Sequence, residues 1–320
     1  MKKNSIFGTA ALGGAFLSGA MKQDEAWAYT VDDDKVVIEK DESGKPHKGK
    51  VLLAVQAHLD DIPYFAGGTC AKLIKEGYTG YLLRTSNDEK CGGGTQSQNI
   101  KSNEAENYKM AESLGFSDVY DFYYRNHRMN NISAQEFRAR MVFLIRMLKV
   151  DTVLSFNPWG HGEENPDHWV TGRVVEEACW MSGMEQDYPE HIACGFPAHG
   201  VTERYYYTAR KGQPHNRVID IGSHIEEKIQ SIVECKSQGG GGYGSALKAR
   251  LAKDGKKLPL LGNDDTTADR EYVRHFLIDE YKTLGREHGL EYAESFYYVD
   301  QRRQGKSKVQ EYIDKNAVKM

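Results

Sequence analysis

From residue 50 onward, short apolar runs alternate with longer stretches in which apolar residues recur every three or four positions. VLLAVQA, Val51 to Ala57, is almost unbroken in its apolar character, which predicts a strand buried on both faces. Helical periodicity follows from Tyr64 to Lys75 and stops at Gly77, and TGYLLRT, Thr79 to Thr85, reads as a second strand. A polar, glycine-rich loop from Asp88 to Ser97 leads into a helix from Lys101 to Leu114, ended by Gly115. DVYDFYY, residues 118–124, reads as a strand and Ala134 to Leu148 as an amphipathic helix. DTVLSF, residues 151–156, is the next strand, followed after a loop by a helix from Pro166 to Met181. Strands and helices in this order imply right-handed crossovers. The expected class is α/β: a Rossmann-like, doubly wound, mostly parallel sheet with helices on both faces.

After Gln186 the pattern changes. ERYYYTA and RVIDIG read as strands ahead of a helix from His224 to Lys236 and a glycine tract, Gly239 to Gly242. The basic, weakly hydrophobic segment from Lys248 to Lys257 reads as a surface excursion. A helix near Asp269–Leu284 and the strand ESFYYV close the body. No internal repeat or linker divides it, so residues 50–320 are taken as one domain and 29–49 as its lead-in.

Residues 1–28 stand apart. Lys2 and Lys3 precede a Gly- and Ala-rich apolar stretch, Ile6 to Met21, and then Ala26-Trp27-Ala28. A basic start, a modest apolar segment and an A-x-A site are the layout of a secretory signal peptide, which implies export to a bacterial periplasm or beyond. The apolar run is shorter than the ~20 residues a membrane-spanning helix needs, so no stable span is expected. The competing reading is a tail of chance composition.

Composition removes some classes of function. Lys plus Arg is 42 against 46 Asp plus Glu, a net charge of −4, whereas nucleic-acid scaffolds and polybasic membrane binders need a strong positive excess. Five scattered Cys form no C-x-x-C pair, which excludes a cysteine zinc site and a disulfide framework. The 19 Tyr suit a carbohydrate cleft, but core packing is the simpler reading.

Candidate chemistry lies where two strands end. Val51–Ala57 runs into His58-Leu59-Asp60-Asp61, and ligands of open parallel sheets collect beyond the carboxyl ends of strands. On a tight turn His58 and Asp61 can aim a nitrogen and an oxygen at one cation, leaving Asp60 free to take a proton. Adjacent carboxylates after a buried strand repel unless a cation neutralises them. Asp60 and Asp61 are equally good candidates to cap the following helix, and both readings stand. The second half is NPWGHGEENPDHWV, residues 157–170, after DTVLSF. Asn165-Pro166 suits an N-cap and first helical residue, which puts His168 in the first turn, at the same sheet edge as His58. Two His and one Asp leave a fourth position open for water, as a catalytic zinc requires.

On these residues the chain resembles the PIG-L/LmbE-like zinc N-deacetylases, whose usual pattern is A-H-P-D-D and later H-P-D-H. Glu106 with Leu114-Gly115, the segment IDIGSHIEEKIQSIVECKSQ (219–238) and YAESFYY (292–298) fit the same family in the same order. The resemblance implies that His58, Asp61 and His168 bind zinc, or another divalent ion, and that Asp60 is the general base. It implies hydrolysis of an N-acetyl group on an N-acetylglucosamine-type sugar or glycoconjugate. Asp167, beside His168 in the sequence, is the candidate to orient a ligating His. Two positions depart from the pattern. Leu59 stands for the usual Pro, which lowers the rigidity of the turn but removes no functional group. Asn165 stands for the first His of H-P-D-H, which helps stabilise the developing oxyanion. Asn165 itself or His161 in the same loop is the candidate donor in its place. A non-catalytic, metal-containing carbohydrate-binding protein of the same fold is the alternative, disfavoured by the intact Asp60. A nucleotide-binding Rossmann protein is disfavoured because no G-x-G-x-x-G follows the first strand.

Overall fold

A computed structural model describes residues 36–301 and 308–318; the expected signal peptide, 1–28, and residues 29–35 lie outside them. One sheet of eight strands forms the centre: β1 (Val37–Glu39), β2 (Val51–Gln56), β3 (Thr79–Ser86), β4 (Asp118–Tyr124), β5 (Thr152–Phe156), β6 (Glu203–Tyr207), β7 (Arg217–Asp220) and β8 (Ala293–Asp300). Their spatial order is β1-β7-β8-β6-β5-β2-β3-β4. All neighbours pair in parallel except β8, which runs antiparallel to both β6 and β7. The doubly wound, mostly parallel sheet expected from the sequence is therefore present.

Alternate residues of the central strands feed two separate cores, which explains their unbroken apolar runs. Leu52, Ala54, Leu82 and Leu154 pack on one face; Leu53, Val55, Leu83 and Val153 pack on the other. The first face is covered by α1 (Asp61–Lys75), α2 (Gln96–Leu114) and α6 (Ile225–Glu234), the second by α3 (Ala134–Leu148) and α4 (Pro166–Met181). The short α5 (Pro189–Ala193) follows α4. Tyr205, Tyr206 and Tyr207 are buried, so this tyrosine-rich strand serves the core.

Several boundaries differ from the sequence expectation. Helix α2 starts at Gln96 because Thr95 and Gln98 form a reciprocal capping box. The first part of the basic segment, up to Lys253, belongs to a helix, α7 (Tyr243–Lys253), packed against α8 (Asp265–Tyr272); a Cβ on Gly244 would stand 1.9 Å from Ala268 O, so only glycine permits this approach. The single helix expected over 269–284 is instead α8, a π-helical turn at Val273–Leu277, and α9 (Asp279–Glu287). Within the lead-in, Val37–Glu39 forms the edge strand β1 on β7, and α10 (Lys308–Asn316) lies near the end of the chain. No helix among the described residues is long and apolar enough to cross a membrane.

Candidate functional site

Strand order reverses between β2 and β5: β2 is followed in sequence by its neighbour β3, whereas β5, entered later, lies on its other side. Loops leaving the two strands diverge there and open a crevice. His58, after β2, and His168, in the first turn of α4 after β5, meet in it. His58 Nδ1 lies 3.0 Å from His168 Nε2. Asp61 places Oδ2 3.7 Å from His58 Nδ1 and Oδ1 3.4 Å from His168 Nε2. All three are buried, and one donor atom from each lies within 4.8 Å of the others.

Each of the three is held from behind. His58 Nε2 stands 3.1 Å from Asp167 Oδ2; donating its proton there leaves the Nδ1 lone pair facing the crevice. Asp167 also accepts from the backbone N–H of His127 (2.6 Å), from Asn126 Nδ2 (3.2 Å) and from the backbone N–H of Met129 (3.3 Å). His168 Nδ1 faces Glu163 Oε1 at 3.1 Å, and that oxygen also receives Arg210 Nη2 at 3.0 Å. Asp61 Oδ2 accepts from the backbone N–H groups of Ala57 (2.9 Å) and His58 (2.7 Å).

Negative charge is in excess around His58. Burial works against a charged imidazole, but the hydrogen bond to Asp167 and the carboxylates of Asp61, Asp88 and Asp60 outweigh it and push the ring up to about 9. Two oriented imidazole nitrogens, a pre-held carboxylate and this surplus of negative charge fit a divalent cation such as zinc.

Asp60 occupies the N-cap position of α1 but makes no side-chain cap hydrogen bond. The capping reading of the acid pair therefore does not describe Asp60. It lines a cavity of about 280 Å³ together with His58, Asp61, His168 and Asn165. Burial, reinforced by Asp61, pushes its carboxyl up to about 7.

The Leu59 departure has a consequence that its residue type alone does not convey. Leu59 N–H donates to Asp88 Oδ2 at 3.1 Å, an oxygen also held by Arg84 Nη1 at 3.0 Å. A proline has no N–H to give. The turn is thus tied down by a hydrogen bond to the loop after β3.

The two candidate oxyanion donors are placed differently. Asn165 is the N-cap of α4: its Oδ1 accepts from Asp167 N at 3.0 Å, and its Nδ2 lies 3.4 Å from His168 Nε2 at the cavity wall. His161 is exposed and does not line the cavity; its carbonyl accepts from Gln213 Nε2 at 2.9 Å. Sequence reasoning missed His127, which follows β4 and lines the cavity. Its place just beyond a parallel strand's carboxyl end was the available signal. Gln238, also on the wall, is set by the segments noted in the sequence. Glu106 accepts from Lys236 N and Ser237 N, both at 2.8 Å, and Gln238 Nε2 donates to Asn103 Oδ1 at 2.9 Å.

The family model described as PIG-L, GlcNAc-PI de-N-acetylase, matches residues 53–179, the stretch that carries both halves of this site. Residues 53–179 belong to the PIG-L family. Among curated proteins, this chain is 26% identical over 197 residues to the diacetylchitobiose deacetylase of Thermococcus kodakarensis, covering 59% of this chain and 70% of that protein. Among solved structures, it resembles an N,N'-diacetylchitobiose deacetylase from Pyrococcus horikoshii with a TM-score of 0.63, at 20% identity over 82% of this chain and 89% of that one. It also resembles GalB, the 4-carboxy-2-hydroxymuconate hydratase of Pseudomonas putida KT2440, with a TM-score of 0.58 at 19% identity, over 80% and 98% of the two chains. At such identities the structures establish the shared fold alone, and that fold carries a hydratase as well as deacetylases.

Proposed function

We propose that this chain is a zinc-dependent N-deacetylase that removes the acetyl group from an N-acetylglucosamine-type sugar or glycoconjugate. The observation that carries the reading is the convergence of His58, Asp61 and His168 beside a separate carboxylate, Asp60, on one cavity. Hydrolysis of an amide needs both a cation site and a base that is not consumed as a ligand. The named activity of the Thermococcus relative supports the substrate class.

Zinc, when bound, supplies a Lewis acid for the amide carbonyl and lowers the pKa of a water towards ~7; another divalent ion with similar ligand preferences can substitute. His58, Asp61 and His168 would hold it. Asp60 accepts the proton of the attacking water and returns it to the leaving nitrogen, so the C–N bond breaks to give an amine and acetate. Asp60 lines the cavity and makes no side-chain cap hydrogen bond, so its carboxylate is available for both halves of that transfer. Asp167 keeps His58 in the tautomer that presents Nδ1. An N–H donor on the cavity wall would stabilise the carbonyl oxygen as charge develops on it.

The test combines metal analysis with acetate release from a panel of N-acetylated sugars. Expected are about one zinc per chain and release from at least one N-acetylglucosamine derivative, with both lost in His168→Ala. Full zinc content in His168→Ala, or no acetate from any sugar with the metal bound, would overturn the reading.

A further inference from the structure

We infer that His127, rather than Asn165 or His161, is the imidazole that hydrogen-bonds the substrate's carbonyl oxygen as that oxygen takes on negative charge. The inference rests on the deacetylase reading above and names a catalytic residue for it.

Three observations converge on His127. First, its ring is in the right place. It is exposed and lines the cavity with Asp60, Asp61 and His168. One of its nitrogens lies within 4.8 Å of a His58 nitrogen and of an Asp167 oxygen. The His58 and His127 rings meet edge to face, with centroids 6.3 Å apart.

Second, the backbone of His127 is held in an unfavourable shape. Its φ is 58°, in the left-handed region, which costs a non-glycine residue on the order of 1–3 kcal/mol. Its N–H donates at 2.6 Å to Asp167 Oδ2, the oxygen that also faces His58 Nε2. One carboxylate therefore sets His58 and aims His127, so the two imidazoles keep a fixed relation.

Third, the competitors are committed elsewhere. Asn165 Oδ1 caps α4, which fixes the amide, and its Nδ2 points at His168 Nε2. His161 is exposed and does not line the cavity. His127 is the cavity imidazole that does not belong to the His58–Asp61–His168 set. A second cation between His58, His127 and Asp167 is disfavoured, because Asp167 Oδ2 already faces three hydrogen-bond donors and Oδ1 a fourth.

The experiment compares His127→Ala, His127→Gln, Asn165→Ala and His161→Ala in the zinc-loaded full chain. It reads kcat and KM on an active N-acetyl sugar, zinc content, and the affinity for acetate, whose oxygens mimic the carbonyl oxygen. Alanine, like histidine, carries a Cβ at φ 58°, and zinc content with circular dichroism reports whether each variant keeps the fold. His127→Ala is expected to lower kcat about 10²–10³-fold, the usual loss for one oxyanion donor, with KM and zinc content little changed. Acetate should bind at least about tenfold more weakly, as loss of a hydrogen bond to a charged group implies. His127→Gln keeps an N–H donor and should recover part of both. Wild-type kcat and acetate affinity in His127→Ala would overturn the assignment, as would a comparable loss from Asn165→Ala or His161→Ala alone. If no sugar is hydrolysed, the deacetylase reading falls, while acetate affinity still decides whether His127 faces the carboxylate.

Discussion

Lys228 Nζ lies 2.7 Å from Glu294 Oε1, and neither side chain reaches solvent. The pair joins α6 to β8, but its other hydrogen bonds go to α1. Glu294 accepts from the backbone N–H groups of Gly68 (3.0 Å) and Thr69 (2.8 Å), and Lys228 donates to the carbonyls of Pro63 and Tyr64. The helix whose start carries Asp60 and Asp61 is thus clamped by two residues from the far end of the chain. Burial lowers the Lys228 pKa against the pull of Glu294, which marks a charge that depends on its partner. Glu294→Gln leaves that ammonium without its counter-charge and should cost about 3–5 kcal/mol of unfolding free energy. Urea denaturation of the variant checks this; a loss under ~1 kcal/mol would contradict the clamp.

Asp167 should act on metal affinity without being a ligand. Asp167→Asn retains one oxygen for the several donors that now converge on the carboxylate, and it removes the charge that faces His58. Loss of such a supporting partner lowers metal affinity by about 10–100-fold. Competition with a chromophoric chelator measures it; unchanged zinc affinity would show that His58 is oriented by other contacts.

Asp60 should separate from the ligands by the opposite pattern. Asp60→Asn is expected to keep zinc but lose about 10²–10⁴ in kcat, because an amide cannot accept the water's proton. Since Asp60 makes no side-chain cap hydrogen bond, thermal stability should change little. Near-normal turnover with zinc bound would remove it as the base.

Acid stability should depend on Glu76. Burial raises its carboxyl pKa, but hydrogen bonds from His47, the Glu42 N–H and Lys72 overcome this and lower it from 4.5 to about 2. A depressed folded-state pKa means that the stabilisation is present above the unfolded value and disappears as pH falls from about 4.5 to about 2. Glu76→Gln should therefore flatten the pH dependence of unfolding in that window. Melting curves taken across it provide the check, and an unchanged slope would refute the assignment.

Much of this molecule follows from local signals, because local physics decides those features. Residues 51–56 read as a doubly buried strand because consecutive side chains enter two different cores. Asn165-Pro166 marks the start of α4 because a cap and a proline at the first position are satisfied by neighbours in sequence. The His58–Asp61 spacing likewise contains its own geometry, since four residues of one turn set it. What the tertiary structure alone decided is where distant segments meet. Strand β1 pairs with β7 and β8 reverses direction through hydrogen bonds to residues far off in the chain. Helix α7 was hidden by its charge, because its reason for existing is a glycine pressed against α8. His161 and His127 look alike in sequence, yet His127 lines the cavity and His161 does not. That choice is made by Asp167, which lies 40 residues from His127 and holds its backbone by one hydrogen bond. Turns, caps and strand faces are short-range consequences of residue type, whereas the aim of a loop side chain is set by whichever remote group satisfies its backbone.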